Sequence, residues 1–191
     1  PERFNQIVEQ DLFVAGEGGY HTYRIPSLLV TGNGTVLAFV EGRKSGQGDT
    51  GDIDLLMKKS TDGGRTWSKQ VVIWDDGESV CGNPNPVLDE VTGDIHLLLT
   101  WNRGDDHEGD IITKKSKDTR RVFVMKSSDN GDSWSAPVDI TKTTKNPLWG
   151  WYATGPGMGI QIKHGPNKGR LVIPANHSYD DPNGEVRGGP F

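Results

Sequence analysis

Two arginines and a short acidic loop are the side chains of this sequence best suited to act on an anionic ligand. Arg24 precedes an isoleucine and a proline, and Arg43 ends an apolar stretch that leads into the loop. A guanidinium presents a planar fork of N–H donors whose charge is not lost at neutral pH, so either arginine could hold a carboxylate. Asp49, Asp52 and Asp54 follow at short spacing. On their own they could equally form an acidic loop that binds solvent or calcium.

Asparagines supply the other candidate polar positions. Asn83 lies in the run Gly-Asn-Pro-Asn-Pro, where its carboxamide could both donate hydrogen bonds to a ligand and accept them. An asparagine between glycine and proline is also a common turn residue, and both interpretations stay open. Further on, period-two alternation along residues 170–178 predicts that Asn176 and Ser178 share one face of a strand.

The elements that must position these residues are strands. Glycine (26 residues) and proline (11 residues) are abundant and the hydrophobic fraction is only 32%, which favours short strands and tight turns over packed helices. No long amphipathic helix is indicated, so the sequence predicts an all-β fold built from antiparallel hairpins. Runs rich in Val, Ile, Leu and aromatic residues predict strands over residues 27–30, 36–40, 53–58, 70–74, 95–100, 121–126, 159–162 and 170–174.

An eight-residue pattern occurs twice along the chain. Residues 60–67 and 127–134 both fit Ser-x-Asp-x-Gly-x-x-Trp, and each follows an apolar strand that ends in basic residues. In such a turn the Asp accepts hydrogen bonds from backbone amides, the Gly takes a positive φ, and the Trp packs between neighbouring sheets. The repeat predicts hairpins at equivalent positions of successive structural units.

This pattern resembles the Asp-box, or BNR repeat, of sialidase-like β-propellers. Two copies in matching strand contexts imply successive four-stranded antiparallel blades, with the box as a structural turn on the outer rim. The spacing of the copies leaves room for about the first three blades of a six-bladed β-propeller. The resemblance implies that residues 1–191 are the N-terminal part of a single propeller domain, with residues 1–19 as a lead-in or closing strand.

The segment before the first box resembles the opening of a bacterial-type exo-α-sialidase catalytic domain. Arg24 lies in Tyr-Arg-Ile-Pro, which matches the signature Phe/Tyr-Arg-Ile-Pro and implies that this arginine grips the substrate carboxylate. By the same resemblance Arg43 binds the sugar near its 4-hydroxyl. Asp49 is then the acid/base catalyst, because its offsets from Arg43 and from the first box fit the family. Asp52 and Asp54 remain competitors for that role.

Two later segments extend the resemblance. The Asn-Pro-Asn-Pro run is similar to the start of the second blade of many sialidases, where Asn83 would contact the 4-hydroxyl or N-acetyl region of the sugar. Residues 155–161 are similar to the Gly-Pro-Gly start of the third blade, with Met158 where the family often has histidine. Residues 170–178 look like the inner strand of that blade, which would bring Asn176 to the substrate.

The resemblance implies an enzyme that removes terminal α-linked sialic acid from sialylated glycans by retaining hydrolysis, without a cofactor or a metal. No segment resembles the tyrosine nucleophile of the family, its glutamate partner or its two further arginines, so this chain alone is expected to lack a complete active site. A trans-sialidase would use the same residues. A non-catalytic sialoglycan-binding propeller is the alternative from another functional class, although it would need neither Arg24 nor Asp49.

Charge and cysteine content exclude several other classes of partner. The net charge of −5 is spread along the chain, and no basic stripe predicts binding to nucleic acid. No apolar run approaches the roughly 20 residues of a membrane span. Cys81 is the only cysteine and has no second thiol for a disulfide. Together with the resemblance, this predicts a secreted, periplasmic or cell-surface protein.

Overall fold

The computed structural model of the chain describes residues 9–190, and β-strands dominate it. Two short helices, α1 (Glu108–Ile112) and α2 (Thr141–Thr144), lie in loops. Neither of these described helices is long and apolar enough to cross a membrane. The prediction of a predominantly β fold is confirmed. The strands in chain order are β1 (Thr22–Val30), β2 (Val36–Arg43), β3 (Ile53–Ser60), β4 (Val71–Trp74), β5 (Val80–Leu88), β6 (Ile95–Asn102), β7 (Arg121–Ser127), β8 (Val138–Asp139), β9 (Tyr152–Thr154), β10 (Ile160–Gln161), β11 (Leu171–Val172), β12 (Ala175–Asp180) and β13 (Val186–Pro190).

Two four-stranded antiparallel meanders form the first part of the molecule. Strands β1 to β4 pair in sequence order, and strands β5 to β8 repeat the same arrangement. We call them the first and second blades. A single parallel pair, Ile53 with Val80, joins them. Consecutive hairpins of this kind follow from the alternation of apolar strands and glycine-containing turns.

The third unit is smaller and differs from the prediction. Strands β13, β12 and β9 form one sheet in that order, and β10 pairs with β11 beside it. The predicted inner strand over residues 170–178 is therefore wrong, because it breaks between β11 and β12, and β12 is the middle strand of its sheet. Pro174 lies at the break, and proline lacks the N–H that a central strand must donate. Strand β9 has the position equivalent to β1 and β5.

The main core lies between the first two blades. Leu37, Phe39 and Leu55 of the first blade are fully buried against leucines and isoleucine of β6 in one cluster. Trp134, the tryptophan of the second box, packs on this cluster with its ring at 5.8 Å from that of Phe39 in an edge-to-face arrangement. Such aromatic contacts add to the free energy of apolar burial. The predicted role of this tryptophan as a plug between sheets is confirmed.

Both boxes lie at equivalent hairpins, between β3 and β4 and between β7 and β8. In the first, Oδ1 of Asp62 accepts hydrogen bonds from the backbone of Arg65 and Thr66. In the second, Oδ1 of Asp129 accepts from the backbone of Ser133 at 2.9 Å. Hydrogen bonds from the Ser133 hydroxyl and amide lower the pKa of Asp129 to about 2, and the corresponding bonds from Thr66 lower the pKa of Asp62.

The segment before β1 packs on the face of the first blade opposite the main core. Residues 9–19 form turns and bends, and the carbonyl of Leu12 accepts a hydrogen bond from Lys58 of β3. Phe13 packs against a small buried cluster that contains Tyr20 and Val40. The predicted lead-in or closing strand over residues 1–19 lies partly outside the described residues, and its described part contains no strand.

Candidate active site

The first strand of the first and second blades is interrupted, and that of the third unit ends, at equivalent positions. Ile25, Asn83 and Gly155 adopt positive φ values of 55°, 54° and 78°, and a proline follows each of them. The register of β1 and of β5 shifts at this point. A positive φ is strained for a branched side chain such as isoleucine, and strain of this kind tends to occur at functional sites. Ile25 and Asn83 line one common cavity, and Ala153, two residues before Gly155, lines it from the third unit.

Contacts between the units fix these interruptions relative to one another. The hydroxyl of Ser27 and the carboxamide of Asn85 both donate to the carbonyl oxygen of Gly157, at 2.6 and 3.1 Å. Each of the three residues lies two positions after the residue with positive φ. The hydrogen bonds span 130 and 72 residues of sequence, so three distant segments meet at one point.

Two arginines hold the loop after β2 and the carboxylate that it presents. Oδ1 of Asp49 lies 3.1 Å from Nη1 of Arg24 and 2.7 Å from Nη2 of Arg43. Both arginines also donate to the carbonyl oxygen of Gln47 in the same loop. Asp49 and Arg24 are each nearly half exposed, whereas Arg43 is buried. The sequence-predicted residues Arg24, Arg43 and Asp49 are thus brought together.

A buried ion pair between Arg43 and Glu41 supports this arrangement. Oε2 of Glu41 accepts hydrogen bonds from Nε and Nη2 of Arg43 at 3.1 and 2.6 Å, and both side chains are almost fully buried. Oε1 of Glu41 accepts from the backbone N–H of Asn83 at 2.9 Å. One carboxylate therefore connects the end of β2 with the interruption in β5. Paired in this way, the buried charges avoid the full cost of desolvation.

These residues line a cavity of about 290 Å³ on the side of the molecule where β2 ends. Asn83 and Asn176, both predicted from the sequence, contribute to its wall, and Ala153 of β9 lies beside Asn176. Arg24 is at the mouth through its contact with Asp49. The first blade contributes the charged groups of Glu41, Arg43 and Asp49 to the lining, and apolar side chains, among them Ile25 and Ala153, complete it.

Asp52 and Asp54, the competing aspartates, lie apart from the pair of arginines. The ammonium of Lys44 is 2.8 Å from Asp52 and 3.1 Å from Asp54, and Asp54 also accepts a 2.5 Å hydrogen bond from Tyr20. Burial raises the pKa of Asp54. Asp75 completes a group of three carboxylates close enough to hold a metal ion, but Lys44 already supplies a positive charge among them. In this structure the loop aspartate that contacts both arginines is Asp49.

Sequence analysis missed Arg120, which lines the cavity and is 2% exposed. It donates hydrogen bonds to the side-chain oxygens of Asn83 and Asn102, and its guanidinium lies 4.1 Å from the ring centre of Trp151. Burial lowers the pKa of Arg120 to about 10, against the opposing effect of Glu41. Glu108 of α1 also lines the cavity and was not predicted. Consecutive arginines at the start of β7 were the only local signal for Arg120.

Comparison with known proteins gives the same family throughout. A family model described as a BNR repeat-like domain matches residues 25–186. The chain is 37% identical over 174 residues to the exo-alpha-sialidase of Aspergillus fumigatus, covering 82% of this chain and 42% of the relative. It is 34% identical over 171 residues to the sialidase of Micromonospora viridifaciens, covering 86% and 26%.

Solved structures agree with these sequence relatives. The Hadza microbial sialidase Hz136 is 27% identical, with a TM-score of 0.76 over 92% of this chain and 36% of that chain. A leech intramolecular trans-sialidase complexed with 2,7-anhydro-Neu5Ac gives a TM-score of 0.78 over 96% and 46%, and at 18% identity this likeness concerns the fold alone. The chain therefore spans less than half the length of each of these relatives.

Proposed function

Because the chain belongs to the sialidase family of BNR-repeat proteins, we propose that it supplies part of the active site of an exo-α-sialidase, which hydrolyses terminal α-linked sialic acid from glycoconjugates. The observation that supports this best is the shared contact of Arg24 and Arg43 with Asp49 at the mouth of a polar cavity. It combines a fixed positive charge for a substrate carboxylate with an exposed carboxyl group that can transfer a proton.

In this proposal Arg24 binds the carboxylate of the sugar. Nη1 of Arg24 contacts Gln47 and Asp49, and its Nη2 has no protein partner among the described residues. A guanidinium that is half exposed and partly unengaged can accept a bidentate anion with little reorganisation. Arg43 has a different role, because its contacts with Glu41 and with the loop after β2 leave it buried. It holds Asp49 and the backbone of Gln47 and Gly48 in place.

Asp49 is the proposed acid/base catalyst. It would protonate the leaving oxygen in the first step and activate water in the second, as a retaining mechanism requires. The tyrosine nucleophile, its glutamate partner and two further arginines are proposed to come from segments beyond residue 191. Substrates are proposed to be sialylated glycoproteins, glycolipids or oligosaccharides, encountered outside the cytoplasm.

Release of free sialic acid by the purified full-length protein tests the proposal. We expect wild type to release it from a sialyllactose and a sialylated glycoprotein, and Arg24→Ala to lower kcat/KM on both because a charge-assisted contact is lost. Asp132→Ala, on an exposed turn of the second box, is the matched control and should keep wild-type activity. Binding of sialosides without any cleavage would instead indicate a lectin, and transfer to an added glycan acceptor in preference to water would indicate a trans-sialidase.

A further inference from the structure

We propose that Arg120 is a positioning residue that fixes the carboxamide of Asn83 with its NH₂ group toward the cavity, so that a ligand must present a hydrogen-bond acceptor at this point. The inference rests on the proposed function only for the identity of the ligand. The orientation itself follows from contacts within the chain.

Nearly every polar group of Asn83 is already bound by the protein. Its N–H donates to Glu41 at 2.9 Å, and its carbonyl oxygen accepts from the hydroxyl of Thr154 at 2.7 Å. Its Oδ1 accepts from Nη2 of Arg120 and from the hydroxyl of Thr100. Within residues 9–190, Nδ2 is the one polar atom of Asn83 without a protein partner. Asn83 is only partly buried, and the cavity is the space that it faces.

The chemistry of arginine allows one orientation of this carboxamide. A guanidinium has only donors, so the group that faces it must be the acceptor oxygen. Rotation of the carboxamide by half a turn would bring the NH₂ group against Nη2 of Arg120 and leave two donors in contact, with a buried charge deprived of a hydrogen bond. Asn83 can therefore offer two N–H donors to a ligand but no side-chain acceptor.

Arg120 is held so firmly that it can impose this orientation. Its Nη1 donates to Asn102, its guanidinium stacks on Trp151, and its backbone carbonyl accepts a 3.0 Å hydrogen bond from the buried ammonium of Lys145. No carboxylate of the described residues forms an ion pair with Arg120. Burying this charge without a directly paired carboxylate is costly, and the two side-chain amides and the nearby charge of Glu41 offset part of that cost.

These contacts define the class of ligand group that Asn83 recognises. The NH₂ group suits a hydroxyl, carbonyl or carboxylate oxygen, whereas an ammonium or another pure donor would be rejected. On a sialoside, the proposed substrate, the acceptor would be a hydroxyl or the N-acyl carbonyl of the sugar. Arg120 acts through Asn83 and need not touch the substrate.

Asn83→Asp is the decisive variant, because aspartate keeps the acceptor toward Arg120 but presents an oxygen, not NH₂, to the ligand. With the full-length enzyme we expect the KM for sialyllactose to rise about tenfold, equivalent to one lost hydrogen bond, with a smaller change in kcat. The melting temperature without ligand should stay at or above that of wild type, since the new carboxylate pairs with the buried guanidinium. An unchanged KM would overturn the proposed orientation.

A double-mutant cycle separates positioning from direct contact. If Arg120 acts through Asn83, the losses in kcat/KM for Arg120→Met and Asn83→Ala should be far from additive, and the double variant should be little worse than Asn83→Ala. Additive losses would mean that Arg120 contacts the substrate itself, which would overturn the positioning role. Arg120→Lys, which keeps the charge but cannot bridge two amides, serves in the same cycle if Arg120→Met does not fold.

A ligand-free measurement keeps this inference separate from the proposed function. The change in melting temperature caused by Asn83→Asp is measured in two backgrounds, one with Arg120 and one carrying Arg120→Met. We expect the substitution to be neutral or stabilising beside Arg120 and destabilising without it. An equal effect in both backgrounds would show that the side-chain oxygen does not face Arg120, whether or not the protein cleaves sialosides.

Discussion

Two features recur along the chain: the box hairpins on the rim, and the inner strands β1, β5 and β9, which each meet a positive-φ residue. The hairpins repeat a set of side chains, whereas the inner strands repeat a backbone conformation. The two boxes share the Ser, Asp, Gly and Trp of their pattern and the hydrogen bonds of their serine and aspartate, and the contacts of Asp62 and Asp129 join residues at most four positions apart. The inner strands share a backbone shape and a proline, while the residues at the turning point differ: Ile25, Asn83 and Gly155. Their contacts cross 42 to 130 residues of sequence.

This difference shows how a repeated fold can hold a site that is not repeated. The rim uses local hydrogen bonds to close each hairpin in the same way, so the serine, aspartate and glycine that make or permit them recur in both boxes. The inner strands need only the same turn of the backbone: Ile25 and Asn83 present different side chains to the shared cavity, and the third unit contributes Ala153 and Asn176. Stability is therefore expected to depend on the rim and the buried ion pair, and activity on the residues at the inner turns and in the loop after β2.

Removing the buried partner of Arg43 should have the largest effect on stability. Glu41→Ala leaves Arg43 and the N–H of Asn83 without their main acceptor at a site only 2–3% exposed. We expect a loss of about 3–5 kcal/mol in the free energy of unfolding, measured by urea denaturation of the full-length protein. Glu41→Gln, which keeps the shape and one acceptor, should lose less. A loss below about 1 kcal/mol in Glu41→Ala would contradict the support that we assign to this pair.

Substitution in a box should lower stability without changing catalysis. Asp129→Ala removes the acceptor of the Ser133 and Ser127 hydrogen bonds, so the hairpin between β7 and β8 should be less stable and the melting temperature lower by a few degrees. The kcat of the folded fraction should match that of wild type. A reduced kcat at a temperature where the variant is fully folded would contradict the claim that the rim contributes to stability but not to activity.

The box carboxylates should also contribute to acid denaturation. The pKa of Asp129 is lowered in the folded state, so its stabilising effect is present above the pKa of the unfolded chain, about 4, and is lost as the pH falls toward 2. Melting temperatures measured from pH 5 to pH 2 should therefore fall less steeply for Asp129→Asn than for wild type. Parallel curves would contradict the lowered pKa.

The smallest expected effect is a change in stability at alkaline pH that depends on Lys145. Burial, with the charge of Arg120, lowers its pKa to about 8, so between pH 8 and about 10 the unfolded chain binds more protons than the folded one. The stability of wild type relative to Lys145→Met should therefore rise over this range. A difference that stays constant or falls between these two proteins would contradict the lowered pKa.

Sequence analysis succeeded where the signal is local. The boxes and the strands on either side of them were predicted because short-range turn chemistry and apolar alternation determine them. Strand β5 was not predicted as a strand, since prolines oppose central pairing; Pro84 lies at the register shift between Gly82 and Asn85, while Pro86 is paired with Leu97. The break between β11 and β12 was missed for the opposite reason, because the predicted strand included Pro174, which lies at the break.

Parts of the site were also beyond local patterns. Arg24, Arg43, Asp49, Asn83 and Asn176 were predicted through a family resemblance. The last four line one cavity and Arg24 contacts Asp49 at its mouth, while their roles remain predictions. Arg120 reaches Asn83 across 37 residues, and nothing in its neighbouring residues indicates that its side chain is buried in a cavity wall. Such partners depend on tertiary packing, which a single sequence does not display.

If Asp49, in the loop after β2, is the acid/base catalyst of a sialidase, the activity lost on replacing it must depend on the leaving group of the substrate. Steady-state kcat/KM of full-length Asp49→Ala is compared with wild type on sialyllactose and on an aryl sialoside. We predict a loss of roughly 10²- to 10⁴-fold on sialyllactose, whose leaving oxygen needs a proton, and a much smaller loss on the aryl sialoside. The melting temperature should change little because the side chain is nearly half exposed. Equal losses on the two substrates would contradict the assignment.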